Sequence, residues 1–128
     1  MASNRERDFM TSEKNYASDK FYDLTVTIAN GQTDSTAVDL GGLELVGIFT
    51  PSNLTATSIS LLASTDLAGT YVTVQDGYGS TYSLTVATSK YVPISNYNAV
   101  AGLRYIKLSA GSTQTPADAV ITLALRSI

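Results

Sequence analysis

The chain has 128 residues, enough for one domain with a real hydrophobic core and too few for two comfortable ones. Apolar residues make up 44% and charged residues 15%, with a net charge of −3 and no cysteine or histidine. That composition excludes disulfides, thiolate chemistry, histidine general bases and the usual zinc ligands, and charge this sparse and this acidic argues against a nucleic-acid partner.

Residues 1–21 read as a polar N-terminal arm. Eight charges, four of each sign, fall within the first twenty positions: Arg5, Glu6, Arg7, Asp8, Glu13, Lys14, Asp19 and Lys20. Large apolar groups are few (Phe9, Met10, Tyr16 and then Phe21) and do not alternate. Such a segment buries too little to fold alone and is expected to order on a partner, or else to act as a solubilising tail. Charged and without an apolar stretch, it shows no signal peptide, and no run approaches the roughly 18 apolar residues of a membrane helix. Synthesis in a cytoplasm and no membrane partner are therefore expected. A chain that opens on its own Met1 and closes on a strand at Ile128 is expected to be a free-standing protein.

From residue 22 the dominant period is two. Leu24, Val26 and Ile28 alternate with Thr25 and Thr27; Tyr82, Leu84 and Val86 alternate with Ser83 and Thr85; Ile106 and Leu108 flank Lys107. Alternation of β-branched and aromatic residues with hydroxyls marks half-buried strands. Strands are expected near 22–28, 35–40, 43–49, 57–64, 70–75, 80–87, 90–94, 103–109 and 119–126, with one helical turn within 96–101. Asn30-Gly31 is a hairpin signal, because both residues tolerate positive φ. Gly41-Gly42, Asp66 to Gly69, Asp76-Gly77 and Ala110-Gly111 mark further turns, and Pro51, Pro93 and Pro116 belong at strand ends, edges or loops.

Two strands depart from simple alternation. Within residues 43–49 the apolar phase slips near Val46-Gly47, as a bulge at Gly47 or burial on both faces would make it. In the last strand Ile121, Leu123 and Leu125 share one face and Val120 and Ala124 the other. A neighbouring subunit over that second face, or a central strand beneath a loop, would account for it. Eight or nine short strands without intervening helices make an all-β antiparallel β-sandwich of jelly-roll type, residues 22–128, behind the extended arm.

Little chemistry is visible. Asp66 and Asp76 stand on neighbouring turns and could pair as two carboxylates, but Asp76 before Gly77 has an ordinary turn role. Asp34, Asp39, Asp66, Asp76 and Asp118 show no calcium-loop spacing. The expectation is no catalytic residue, no metal site and no cofactor. Asn53-Leu54-Thr55 matches a glycosylation sequon but reads as a loop tripeptide. Of the eight tyrosines, Tyr71 and Tyr82 could pair across a hairpin, while Tyr78 and Tyr97 fall in loops and are candidate contacts for a sugar ring.

The run Val38-Asp39-Leu40-Gly41-Gly42, then Leu45-Val46-Gly47-Ile48-Phe49-Thr50-Pro51, Ser64-Thr65-Asp66 and Gly69-Thr70-Tyr71, resembles small tailed-bacteriophage virion proteins. Tyr91-Val92-Pro93-Ile94 and Gly102-Leu103-Arg104-Tyr105-Ile106-Lys107 continue the resemblance, which covers roughly residues 22 to 126. The same motifs are similar to those of galactose-binding-like, discoidin-type jelly rolls. The phage resemblance implies a capsid decoration (cement) protein on the outer capsid surface of the virion. Its partners would be the major capsid protein and neighbouring copies of itself, as a homotrimer. On that reading Arg5, Arg7, Lys14 and Lys20 pair with capsid acids, and Phe9, Met10, Tyr16 and Phe21 fill shallow pockets. The alternatives are a glycan- or receptor-binding module of a tail fibre or baseplate, with Tyr78 and Tyr97 as its platform, and an unrelated adhesion domain.

Overall fold

A computed structural model describes residues 21–127, so the arm candidates Arg5, Arg7, Phe9, Met10, Lys14, Tyr16 and Lys20 lie outside the described residues. Phe21 is described, and it is the first residue of the first strand. The strands are β1 (Phe21–Ile28), β2 (Val38–Asp39), β3 (Glu44–Phe49), β4 (Ser58–Ser64), β5 (Val72–Thr73), β6 (Ser83–Thr85), β7 (Tyr91–Pro93), β8 (Tyr105–Ala110) and β9 (Ala119–Arg126). One helical turn, α1 (Tyr97–Val100), precedes β8. Strand positions agree with the alternation. The second, fifth and sixth are shorter than expected because their flanks continue as single bridges, Asp34 to Ser109 and Gln75 to Thr81.

The first sheet runs β1-β9-β3-β7 and the second β2-β8-β4-β5, with β6 also on β4; every pairing is antiparallel. Early strands therefore pair with late ones in reverse order: β1 with β9, β2 with β8, β3 with β7, and β4 with the β5–β6 hairpin. That is a long hairpin doubled over into two sheets, the jelly-roll order.

Period-two burial builds the core. Val26, Ile28, Ile48, Ile121, Leu123 and Leu125 from the first sheet face Ile59, Leu61, Leu84, Ile106 and Leu108 from the second, and all are buried. Each such side chain contributes roughly 1.5–3 kcal/mol of transfer free energy. In β3 the register to β9 steps from Ala124–Gly47 to Leu125–Leu45, which leaves Val46 as the extra residue of a bulge. The bulge explains the phase slip, since it lets Leu45 and Ile48, three positions apart, both point inward. Its free carbonyl is taken up by the Ile94 N–H at 2.9 Å. β9 is a central strand, but its outer face carries Val120 at 50% exposure.

One expected hairpin is not made. The Asn30-Gly31 turn forms, with the Gln32 N–H on the Ala29 carbonyl at 3.0 Å and Gly31 at φ 87°. The chain after it crosses to the other sheet, where Ser35 donates to the Leu108 carbonyl and β2 joins β8. Burial of Leu40 outweighs a local pairing that would leave it on an open edge. The Tyr71–Tyr82 pair is also absent, because the Tyr82 N–H meets the Val74 carbonyl.

Candidate functional site

Asp34 accepts from the Ser109 hydroxyl at 2.8 Å, and Asp118 accepts from the Asn30 N–H at 2.8 Å. Asp76 accepts from the N–H groups of Tyr78 (2.7 Å) and Ser80 (3.3 Å), the side-chain turn expected before Gly77. Glu44, largely buried, takes the Arg126 Nε at 2.8 Å. Asp66 meets the Ser64 hydroxyl through its main-chain N–H and carbonyl. Four carboxylates, those of Asp34, Asp76, Asp118 and Glu44, thus serve turns, loops and an ion pair, and Asp66 and Asp76 belong to separate turns. Among the described residues no group of three acidic side chains is placed to hold a metal ion. The Asn53 side-chain N–H donates to the Asp118 carbonyl and the Thr55 hydroxyl to the Thr115 carbonyl, so the sequon tripeptide ties two loops together.

Asp39 and Arg104 form an ion pair through two hydrogen bonds, 3.0 and 3.3 Å, with the guanidinium 5.0 Å from the Tyr105 ring centre. The Arg104 hydrogen bond, reinforced by the Gly41 N–H, holds the Asp39 carboxyl below the usual carboxylate range. Gly41 and Gly42 sit at φ 62° and 86°, which lets the chain reverse tightly enough for that N–H to reach Asp39. Beside the pair runs an open groove of about 600 Å³, lined by Ser64, Thr65, Thr70, Val72, Leu103 and Arg104.

Tyr78 and Tyr97 are both exposed, Tyr78 to 92%. Their loops are joined: the Asn96 side chain donates to the Asp76 carbonyl at 3.4 Å, and the Tyr82 hydroxyl accepts from the Ser95 N–H at 3.2 Å. Tyr97 lies 6.0 Å from the Arg126 guanidinium, at one end of the first sheet. The groove beside Arg104 includes neither tyrosine.

The two outer faces differ. Since Ile59 and Leu61 face inward, β4 turns Ser58 and Ser60 outward, where Ser83, Thr85 and Ser109 join them across the ladder. The second sheet therefore shows hydroxyls. On the first sheet the register aligns Thr25, Thr122, Phe49 and Tyr91 in one outward row. Phe49 and Tyr91 rings are 4.7 Å apart, and Tyr91 lies over Gly47, where a Cβ would collide with it. Phe21, 76% exposed, stands at the corner of the same face. The bulge turned Phe49 outward, and the alternation of β3 read alone gave no sign of this aromatic pair.

Comparison with known proteins adds little. No family model matches the chain, and no curated protein matches it. A solved structure, that of the SPBc2 prophage-derived protein YomS, is similar over 87% of this chain and 98% of that one, at 15% identity and a TM-score of 0.49. The assignment of the fold rests on the strand order, and this chain is an all-β antiparallel sandwich.

Proposed function

We propose that this chain is a structural virion protein, a capsid decoration protein that binds the major capsid protein shell through residues 1–21. The sandwich supplies contacts between neighbouring copies as a homotrimer on the outer capsid surface. One structural observation supports the reading above the others: five of the seven acids of the body, Asp34, Asp39, Glu44, Asp76 and Asp118, have carboxylates occupied in turns, loop ties and ion pairs, as suits a scaffold rather than a catalyst. The jelly-roll order agrees with it, and since a fold does not by itself carry a function, the sequence resemblance supplies the virion context.

Deletion of residues 1–20 tests the reading. The β-rich circular dichroism and cooperative melting of the body are expected to survive. Co-sedimentation with particles lacking the protein is expected to fall at least tenfold, with Arg5→Ala or Arg7→Ala alone costing much less, as exposed pairs contribute about 0.2–1 kcal/mol each. Equal occupancy by the truncated form would move the binding surface onto the sandwich.

The rival reading, a glycan- or receptor-binding module, draws on the exposed Tyr78 and the joined Tyr97 loop. Saturable glycan binding that Tyr78→Ala abolishes, with no shell binding by the intact chain, would favour it.

A further inference from the structure

β1 is an edge strand eight residues long, and one side of it has no ladder partner among the described residues. Which of its groups point that way follows from Thr27. The Thr27 N–H donates to the Thr36 hydroxyl at 3.1 Å and its carbonyl accepts from the Thr36 N–H at 3.0 Å. Both groups therefore face away from β9. A strand repeats every two residues, so the N–H and C=O groups of Phe21, Asp23 and Thr25 face the same way. Thr36 closes the edge at Thr27. Beyond it nothing described pairs with the other three residues, and all three are exposed.

Open edges of this length template further strands unless prolines, bulges or charged side chains, lysine above all, blunt them. β1 contains no proline, lysine or bulge. Its one charge is Asp23, at the centre of the open stretch, without an ion-pair partner among the described residues. The position of that charge selects the occupant. Antiparallel self-pairing that used all three open residues would set Phe21 against Thr25 and Asp23 against the Asp23 of a second copy. Like charges directly opposite destabilise a ladder, whereas an opposite charge contributes.

We propose that the free edge of β1 is a strand-addition site for an extended segment of a partner protein that places a lysine or arginine opposite Asp23. Backbone hydrogen bonds from Phe21, Asp23 and Thr25 hold the segment, and Asp23 sets its register. The added strand would extend the first sheet to five strands, in the order segment-β1-β9-β3-β7. This inference does not depend on the virion reading, since it concerns the chemistry of the edge and not the identity of the partner.

The probes are two blocked peptides of alternating threonine and valine, one with lysine at the centre and the other with glutamate. Each is titrated into the full chain while backbone amide NMR signals and their hydrogen exchange are followed. The lysine peptide is expected to shift and protect the amides of Phe21, Asp23 and Thr25, and to half-saturate at a concentration at least about threefold below the glutamate peptide. Asp23→Lys is expected to reverse that order. Thr25→Pro removes an outward N–H without touching a bond to β9, so melting should change little while binding falls at least tenfold. If Thr25→Pro does not fold, the reversal by Asp23→Lys remains decisive. Equal response to both peptides, shifts centred elsewhere, or no response at millimolar peptide would overturn the proposal. So would slow exchange of the three amides in the chain alone. Concentration-independent protection would then assign the edge to the chain's own residues 1–20, and protection that grows with protein concentration would assign it to a second copy.

Discussion

Gln114 should be among the most costly polar positions in the molecule to alter. Its side chain is 1% exposed. The side-chain nitrogen donates to the carbonyls of Asn53 at 2.7 Å and Ala117 at 3.0 Å, and the side-chain oxygen accepts from the Thr55 N–H at 3.0 Å. Its main chain binds the Asn30-Gly31 turn as well, through Gly31 at 2.7 Å and Gln32 at 2.9 Å. Gln114→Ala keeps the main-chain pair and removes the other three bonds. At about 1 kcal/mol net for each, the loss is about 3 kcal/mol, falling toward 2 if water reaches the freed groups and rising toward 5 if they stay dry. Urea denaturation at 25 °C measures it directly. A Gln114→Glu chain separates the donor role from simple packing. With two carbonyls facing the former amide, the glutamate is held protonated in the folded state, so its folded pKa lies above the unfolded value near 4.3. Stability is therefore best retained below about pH 4 and declines as pH rises, by about 1.4 kcal/mol per unit, until the folded pKa is passed. A loss under about 1 kcal/mol for Gln114→Ala, or a pH-independent Gln114→Glu, would refute the clamp.

Two further outcomes follow from the geometry. Gly47→Ala sets a methyl group against the Tyr91 ring and should cost about 1–2 kcal/mol, within the range for overpacking; Tyr91→Ala in the same chain should recover most of it in a double-mutant cycle. Asp39 should titrate below an ordinary aspartate in carboxyl NMR, and Arg104→Gln should return it toward normal. Because its folded pKa is depressed, the stability it lends is present above the unfolded pKa and is lost as pH falls through the folded one.

How much of this was legible beforehand depends on the range of the force concerned. Ile121, Leu123 and Leu125 were readable as a buried face because a half-buried strand imposes a period of two on its own residues, and that constraint is local. The slip at Val46-Gly47 was readable for the same reason, and the structure made it a bulge. Turn acids such as Asp76 act within four residues and announce themselves. Pairing is different. Asn30-Gly31 favours a hairpin locally, yet β1 pairs with β9 and β2 with β8, because doubling the chain over buries Leu40 and both sheet faces at once. Asp39–Arg104 spans 65 residues and Glu44–Arg126 spans 82, and no short-range pattern selects those partners. Gln114, one polar residue among many, became a clamp only where three loops met around it. The open edge of β1 belongs to the same class: its alternation predicts a strand, but only the placement of every other strand leaves one side of it without a neighbour.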